Sequence, residues 1–166
     1  MKNEILYASG GFKRIIVARF SIGSDVLECL EELVKKEKIR AGAIITGIAT
    51  LSKMRVRSLD SIPKDFPRVQ PGLNIFEVEG ALEVLNMSGI IFVRDRDVFV
   101  HPHITACDAN GKMYGGHLMP GSIVYMTCEV IIGEFEGLTM GSKLDARVGH
   151  PLLTPRTTRR TPTSRR

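Results

Sequence analysis

Between Val98 and Leu118 the sequence VFVHPHITACDANGKMYGGHL alternates in strand fashion on the near side of a turn and then returns, and this pairing constrains the fold more tightly than any other stretch. Strand side chains point alternately to opposite faces, so Phe99, His101, His103, Thr105 and Cys107 share one face and Val98, Val100, Ile104 and Ala106 the other. Asp108-Ala109-Asn110-Gly111-Lys112 supplies the turn, with Asp to accept from backbone N–H groups and Gly to take positive φ. Two registers compete. A two-residue Asn110-Gly111 loop sets His117 opposite Ile104, on the wrong face. A three-residue loop with Gly111 in a left-handed bulge position pairs Asp108 with Lys112 and sets His117 opposite His103. The second register suits the residues better, because Asp108 then opens a type I turn and Gly111 occupies the position that needs positive φ. A bulge at Gly115-Gly116 would shift the count.

Three of the four histidines thus fall within this hairpin. Directly opposed strand residues have Cβ atoms about 5 Å apart, so His101, His103 and His117 converge on one patch. Three neutral imidazoles without a thiolate suit zinc or another borderline divalent ion, and a three-ligand set leaves a coordination position open. The plainer alternative is three surface or core histidines on a hairpin. Cys107 shares the face but lies roughly 20 Å from His101 at ordinary strand rise. It reads as a small buried residue.

The length of 166 residues suits one domain with a full core. Cys29, Cys107 and Cys128 are odd in number and widely spaced, which disfavours both a disulfide framework and a thiolate metal site. No apolar run approaches the eighteen or so residues of a membrane span, and MKNEILYASGGFKR lacks the layout of a signal peptide, so a cytoplasmic location is the default expectation. The net charge of +5 is unevenly placed. Residues 151 to 166 hold Arg156, Arg159, Arg160, Arg165 and Arg166 and no acid, so the preceding 150 residues carry 18 basic and 18 acidic groups, 23 less 5 against 18. The boundaries expected are therefore a folded domain over 1–148 and a disordered Pro/Thr/Arg arm over 149–166, able to attract DNA phosphates without reading sequence, or merely to solubilise.

Phe12 to Phe20 reads as a first strand. An amphipathic helix follows, with Ser24 or Asp25 as N-cap and Val26, Leu27, Leu30, Leu33 and Val34 as its apolar stripe. Ala43 to Thr50 and Ser122 to Ile132 are apolar on both faces, as central strands or subunit contacts would be. Lys53–Leu59 extends the Ala43–Thr50 strand, Leu73–Glu79 is another strand that Gly80 breaks before Ala81–Ile91 resumes an apolar run, and Ser61 to Gly72, with Pro63, Pro67 and Pro71, is a loop. Glu129 is a carboxylate inside an apolar strand and must be paired, hydrogen-bonded or neutral.

Gly80-Ala-Leu-Glu-Val-Leu-Asn-Met-Ser-Gly89, His101-Pro-His103, Asp108-Ala-Asn-Gly111 and Gly115-Gly-His-Leu-Met-Pro-Gly121 followed by Val124 to Ile132, taken in order, resemble the PPC domain family, the plant and prokaryote conserved domain, over about residues 10 to 136. The resemblance implies an α+β (mixed α/β) fold, a single compact domain built on a mainly antiparallel sheet with one long helix, assembled as a homotrimer. It also implies a metal site at His101, His103 and His117. Plant members bind AT-rich DNA through AT-hooks, but this chain has no Arg-Gly-Arg-Pro run, and Arg159-Arg160-Thr161-Pro162 lacks the glycine that lets a backbone enter the minor groove. Two functions are expected in consequence. The first is a trimeric module associated nonspecifically with DNA through the arginines of the arm. The second is a metal-dependent, zinc-type enzyme acting on a small molecule, in which the ion activates water or polarises a carbonyl and Glu129 or Glu83 serves as general base.

Overall fold

The computed structural model describes residues 5–62, 64 and 73–158. Its elements in chain order are β1 (Gly11–Phe20), α1 (Val26–Lys36), β2 (Gly42–Leu59), β3 (Leu73–Arg94), β4 (Asp97–Cys107), β5 (Met113–Leu118), β6 (Ile123–Glu136), β7 (Leu138–Asp145) and β8 (His150–Thr157). The sheet order is β1-β6-β2-β5-β4-β3-β7-β8, antiparallel throughout except for the β3–β7 contact. Because β2 also pairs with β3, the sheet curls back on itself and β2, β3, β4 and β5 form a closed ring. Leu51, Met54, Val56, Leu82, Val84, Ile104 and Leu118 are buried, and α1 adds Val26, Leu27, Leu30 and Val34 to the same core.

Helix α1 begins where the sequence indicates. Asp25 is its N-cap, accepting from the N–H groups of Leu27 and Glu28 at 2.9 and 3.1 Å, and its second carboxylate oxygen accepts from Gly121 N–H in the turn before β6. The helix is short, eleven residues, and the long helix implied by the resemblance is corrected on this point. It ends because Lys38 takes φ +57°, which turns the chain so that Ile39, wholly buried, can bond back through its N–H to the Val34 carbonyl.

Strand β2 runs through its expected extension to Leu59, and β3 continues unbroken through Gly80, at φ +123°, where the sequence suggests a break. The turn joining β3 to β4 places both Asp95 and Arg96 at positive φ, the geometry that matches the twist of a two-residue hairpin. The arm departs from expectation. Residues 150–157 are not disordered but form β8, paired with β7 from His150 opposite Asp145 to Thr157 opposite Leu138. Pro151 and Pro155 are compatible with this, since β8 lies at the edge of the sheet and proline costs least there. Arg156 is exposed on β8, whereas Arg159, Arg160, Arg165, Arg166 and the proline positions 63, 67 and 71 lie outside the described residues. No described helix is long and apolar enough to cross a membrane.

Candidate metal centre

The hairpin adopts the three-residue register. Asp108 N–H donates to the Lys112 carbonyl at 3.0 Å and Gly111 N–H to the Asp108 carbonyl at 2.9 Å, with Gly111 at φ +77°. The Asp108 side chain holds the turn by accepting from Asn110 N–H, Lys112 N–H and the Tyr114 hydroxyl. Bonding from the Lys112 backbone in particular, against the cost of desolvation, keeps that carboxyl below its usual range. The β4–β5 ladder then runs without interruption from Cys107 opposite Met113 to His103 opposite His117, so Gly115-Gly116 forms no bulge.

Three strands contribute one row of side chains across the sheet. Arg57 of β2 lies opposite His117 of β5, which lies opposite His103 of β4; His101, two residues earlier on β4, shares their face and lies opposite Ile90 of β3. Two glycines let these backbones approach. A Cβ at Gly89 would stand 2.5 Å from the His101 carbonyl oxygen, and one at Gly116 2.7 Å from that of Arg57.

His101, His103 and His117 each bring one ring nitrogen within 4.8 Å of the others, and the Nε2 atoms of His101 and His103 are 3.2 Å apart. Their ring centroids are separated by 4.7 to 5.4 Å. Burial lowers the proton affinity of His101, with His103, Arg57 and Arg94 adding to the effect. Burial, then the Arg57 guanidinium and the two other rings, take His117 down to about 4. Both shifts favour neutral imidazole, the form that ligates. His117 Nδ1 is buried and has no hydrogen-bond partner among the described residues. A buried nitrogen normally finds a partner, so this donor set fits a divalent ion.

A cavity of about 580 Å³ opens beside the cluster, lined by His101 and His117, by Arg57 and Arg94, by the aromatic rings of Phe92 and Phe99, and by the start of β8. Neither Glu83 nor Glu129 lines it, which corrects the expectation of either as a base for chemistry there. Glu129 instead sits opposite Arg19 and Ile48 and accepts a hydrogen bond from the Thr127 hydroxyl. The carboxylate that does line the cavity is Glu31 of α1, a residue that reads in sequence as part of a solvated helical face. His150, the fourth histidine, reaches the same cavity through β8. Nothing local in the sequence signals either, because both depend on α1 and β8 packing near β4. Cys107 is a free, half-buried thiol at the turn end of β4, remote from the cluster along the strand. Arg156 lies on a different cavity, of about 590 Å³, together with Lys38, Arg40 and Lys143.

The sequence profile of the Plants and Prokaryotes Conserved (PCC) domain matches residues 7–136, so β7 and β8 lie beyond the matched region. A curated relative, the bifunctional protein GlmU of a Synechococcus strain, is 28% identical over 140 residues, covering 84% of this chain and 20% of its own. This chain therefore spans about a fifth of the length of that relative. Among solved structures, a hypothetical protein from Salmonella cholerae-suis is similar with a TM-score of 0.75 at 25% identity, covering 90% of this chain and 97% of the other. The metal-containing protein of Archaeoglobus fulgidus follows at 0.73 and 23%, covering 90% and 98%. A Bacteroides thetaiotaomicron protein provisionally described as DNA-binding superposes at 0.72 and 18%, covering 90% and 97%.

Proposed function

The chain belongs to the plants and prokaryotes conserved domain family, and we propose that it is a divalent-metal protein of that family whose three-histidine centre engages a small molecule at an open coordination position. One observation carries this reading: three imidazoles from two strands converge within 4.8 Å, one of them with an otherwise unpartnered buried nitrogen. The A. fulgidus protein of the same fold is a metal-containing one, which agrees with it. His101, His103 and His117 would hold the ion, and zinc suits an all-imidazole set. When bound, such an ion can polarise a carbonyl or lower the pKa of a water. The protein's own part is to lower the proton affinity of His101 and His117, to fix the positions of the three rings through the β4–β5 register, and to present a walled cavity beside them. The test is elemental analysis of purified protein, before and after exposure to zinc. About one ion per chain is expected, and His117→Ala should lose it while remaining folded. A wild-type protein that takes up no ion at micromolar zinc removes this reading.

A second reading has its own support. Five arginines fall in the last sixteen residues of a chain whose remainder is charge-neutral, and a protein of the same fold is provisionally described as DNA-binding. In this reading a homotrimer associates with DNA by nonspecific phosphate contacts from Arg156, Arg159, Arg160, Arg165 and Arg166.

A further inference from the structure

The cavity beside the histidines has a chemical character of its own. Its charged lining residues other than histidine are Arg57, Arg94 and Glu31, two positive charges against one negative, and a divalent ion would add two more positive charges. Neither arginine has an acidic partner among the described residues. Arg57 is placed by backbone pairing in the same row as His117 and His103. The Arg94 guanidinium lies over the Phe99 ring, its carbon 3.7 Å from the ring centre. An arginine costs less to desolvate than a lysine and presents a planar fork that matches a carboxylate with two parallel hydrogen bonds.

Apart from His101, His117 and His150, the rest of the wall is apolar. Phe92 packs edge-on to Phe99 at 5.4 Å between centroids, and Leu118, Met119 and Pro120 continue the surface. The lining includes no lysine, no serine or threonine hydroxyl, and no glycine-rich loop, the groups that usually gather around a phosphate. A volume of about 580 Å³ lies within the range that accommodates metabolite-sized ligands.

We infer that this cavity binds a small organic carboxylate with an apolar chain, its charged end held by Arg57 and Arg94 near the open face of the histidine cluster and its chain against Phe92 and Phe99. The inference deepens the metal reading but does not depend on it for its ligand contacts, since both arginines belong to the protein itself. Hexanoate is the probe, titrated calorimetrically into full-length protein, metal-free and zinc-treated, with zinc content measured on the same samples. Hexylamine and inorganic phosphate are titrated for comparison.

Hexanoate should bind in at least one form, more tightly than either comparison compound. Arg57→Met should weaken it at least tenfold without changing zinc content, and Arg57→Lys should recover part of the loss. Arg94→Met gives a second, independent reading should Arg57→Met fail to fold. The inference is overturned if hexanoate binds neither form, if phosphate binds better, or if the folded arginine variants bind hexanoate as the wild type does. Zinc content judges the metal reading separately: carboxylate binding without zinc uptake leaves the anion site standing alone, and zinc uptake without carboxylate binding leaves the metal centre without this ligand.

Discussion

Glu134 is a buried carboxylate, 8% exposed, and two cations on the facing strand account for its tolerance there. Lys13 Nζ lies 3.0 Å from one oxygen and Arg14 Nε 2.6 Å from the other, while Arg14 also reaches Glu37 at 2.7 Å, joining β6, β1 and the end of α1. Burial by itself would raise the Glu134 pKa, but the bonds from Arg14 and Lys13 outweigh it and hold the carboxyl below its usual value. A carboxylate depressed in the folded state contributes stability that is present above the unfolded-state pKa and is lost as pH falls through the folded value. Glu134→Gln should therefore cost about 1.5–3 kcal/mol at pH 7, the usual worth of hydrogen bonds to a charged group. In urea denaturation the gap between variant and wild type should close as pH falls below about 4, the acid side of the ordinary glutamate range. A gap that persists unchanged at pH 3 would assign the cost to packing instead. Sequence reasoning singles out Glu129 because its neighbours are apolar, and passes over Glu134. Both have a β1 arginine opposite, Arg19 for Glu129 and Arg14 for Glu134, and what separates them is the ion pair: Arg14 and Lys13 reach the Glu134 carboxylate, whereas Glu129 accepts from the Thr127 hydroxyl.

Hairpin β4–β5 is legible in detail because its register rests on local chemistry, Asp108 as acceptor and Gly111 at positive φ, and the meeting of His103 and His117 follows from that register. The closure that brings Arg57 beside them is not legible. It depends on a two-residue pairing, Val56 with Leu118 and Arg57 with His117, between segments far apart in the chain, and no periodicity encodes such a pairing. Strand β8 escapes a sequence reading for a related reason: a composition rich in Pro, Thr and Arg argues against a packed core, yet an edge strand needs backbone partners and little burial, which β7 provides. These elements make a specific prediction at Gly89. A Cβ there would meet the His101 carbonyl oxygen at 2.5 Å and Pro102 Cα at 2.8 Å, backbone atoms that cannot swing aside. Gly89→Ala should thus force β3 from β4, costing about 1–3 kcal/mol as overpacking does. It should also weaken zinc binding although no histidine is touched. Gly111→Ala strains only the turn, by about 1–2 kcal/mol, and should keep full zinc stoichiometry. Denaturation midpoints and zinc titration of the two variants check both statements, and equal zinc affinity in Gly89→Ala and wild type would contradict the first.

Across the whole molecule, the strands that read as apolar on both faces leave one of those faces uncovered. Val17 is 73% exposed on β1, Met126 64% on β6 and Ile48 55% on β2, neighbouring strands of one sheet, with Tyr125 and Ile15 also exposed. Contiguous apolar surface of this kind marks an interaction site, and a second and third copy of the chain are the occupants that the family resemblance implies. Light scattering at micromolar concentration should give a trimer mass, and Val17→Lys with Ile48→Lys should give monomer. Nucleic-acid association belongs to the same scale, because it is a question of where charge is gathered. Cutting the chain at His150 would remove β8 together with the arginines, so a fair test truncates after Thr158, which deletes Arg159, Arg160, Arg165 and Arg166 and leaves the described sheet whole. Arg156 then remains on its cavity with Lys38, Arg40 and Lys143, so charge on the folded body is locally concentrated even though the sum over residues 1–150 is zero. Each phosphate that a basic side chain neutralises releases counterions, and the slope of log affinity against log salt flattens by about 0.9 for every phosphate left unneutralised. Truncation should therefore weaken binding of random-sequence duplex DNA at low salt and reduce its salt slope by up to about 3.6 per chain at one site, four phosphates at that rate. Lys143→Gln with Arg156→Gln in the truncated protein should remove what remains. Undiminished binding after both changes, or a preference for particular sequences, would transfer recognition to another surface of the folded body.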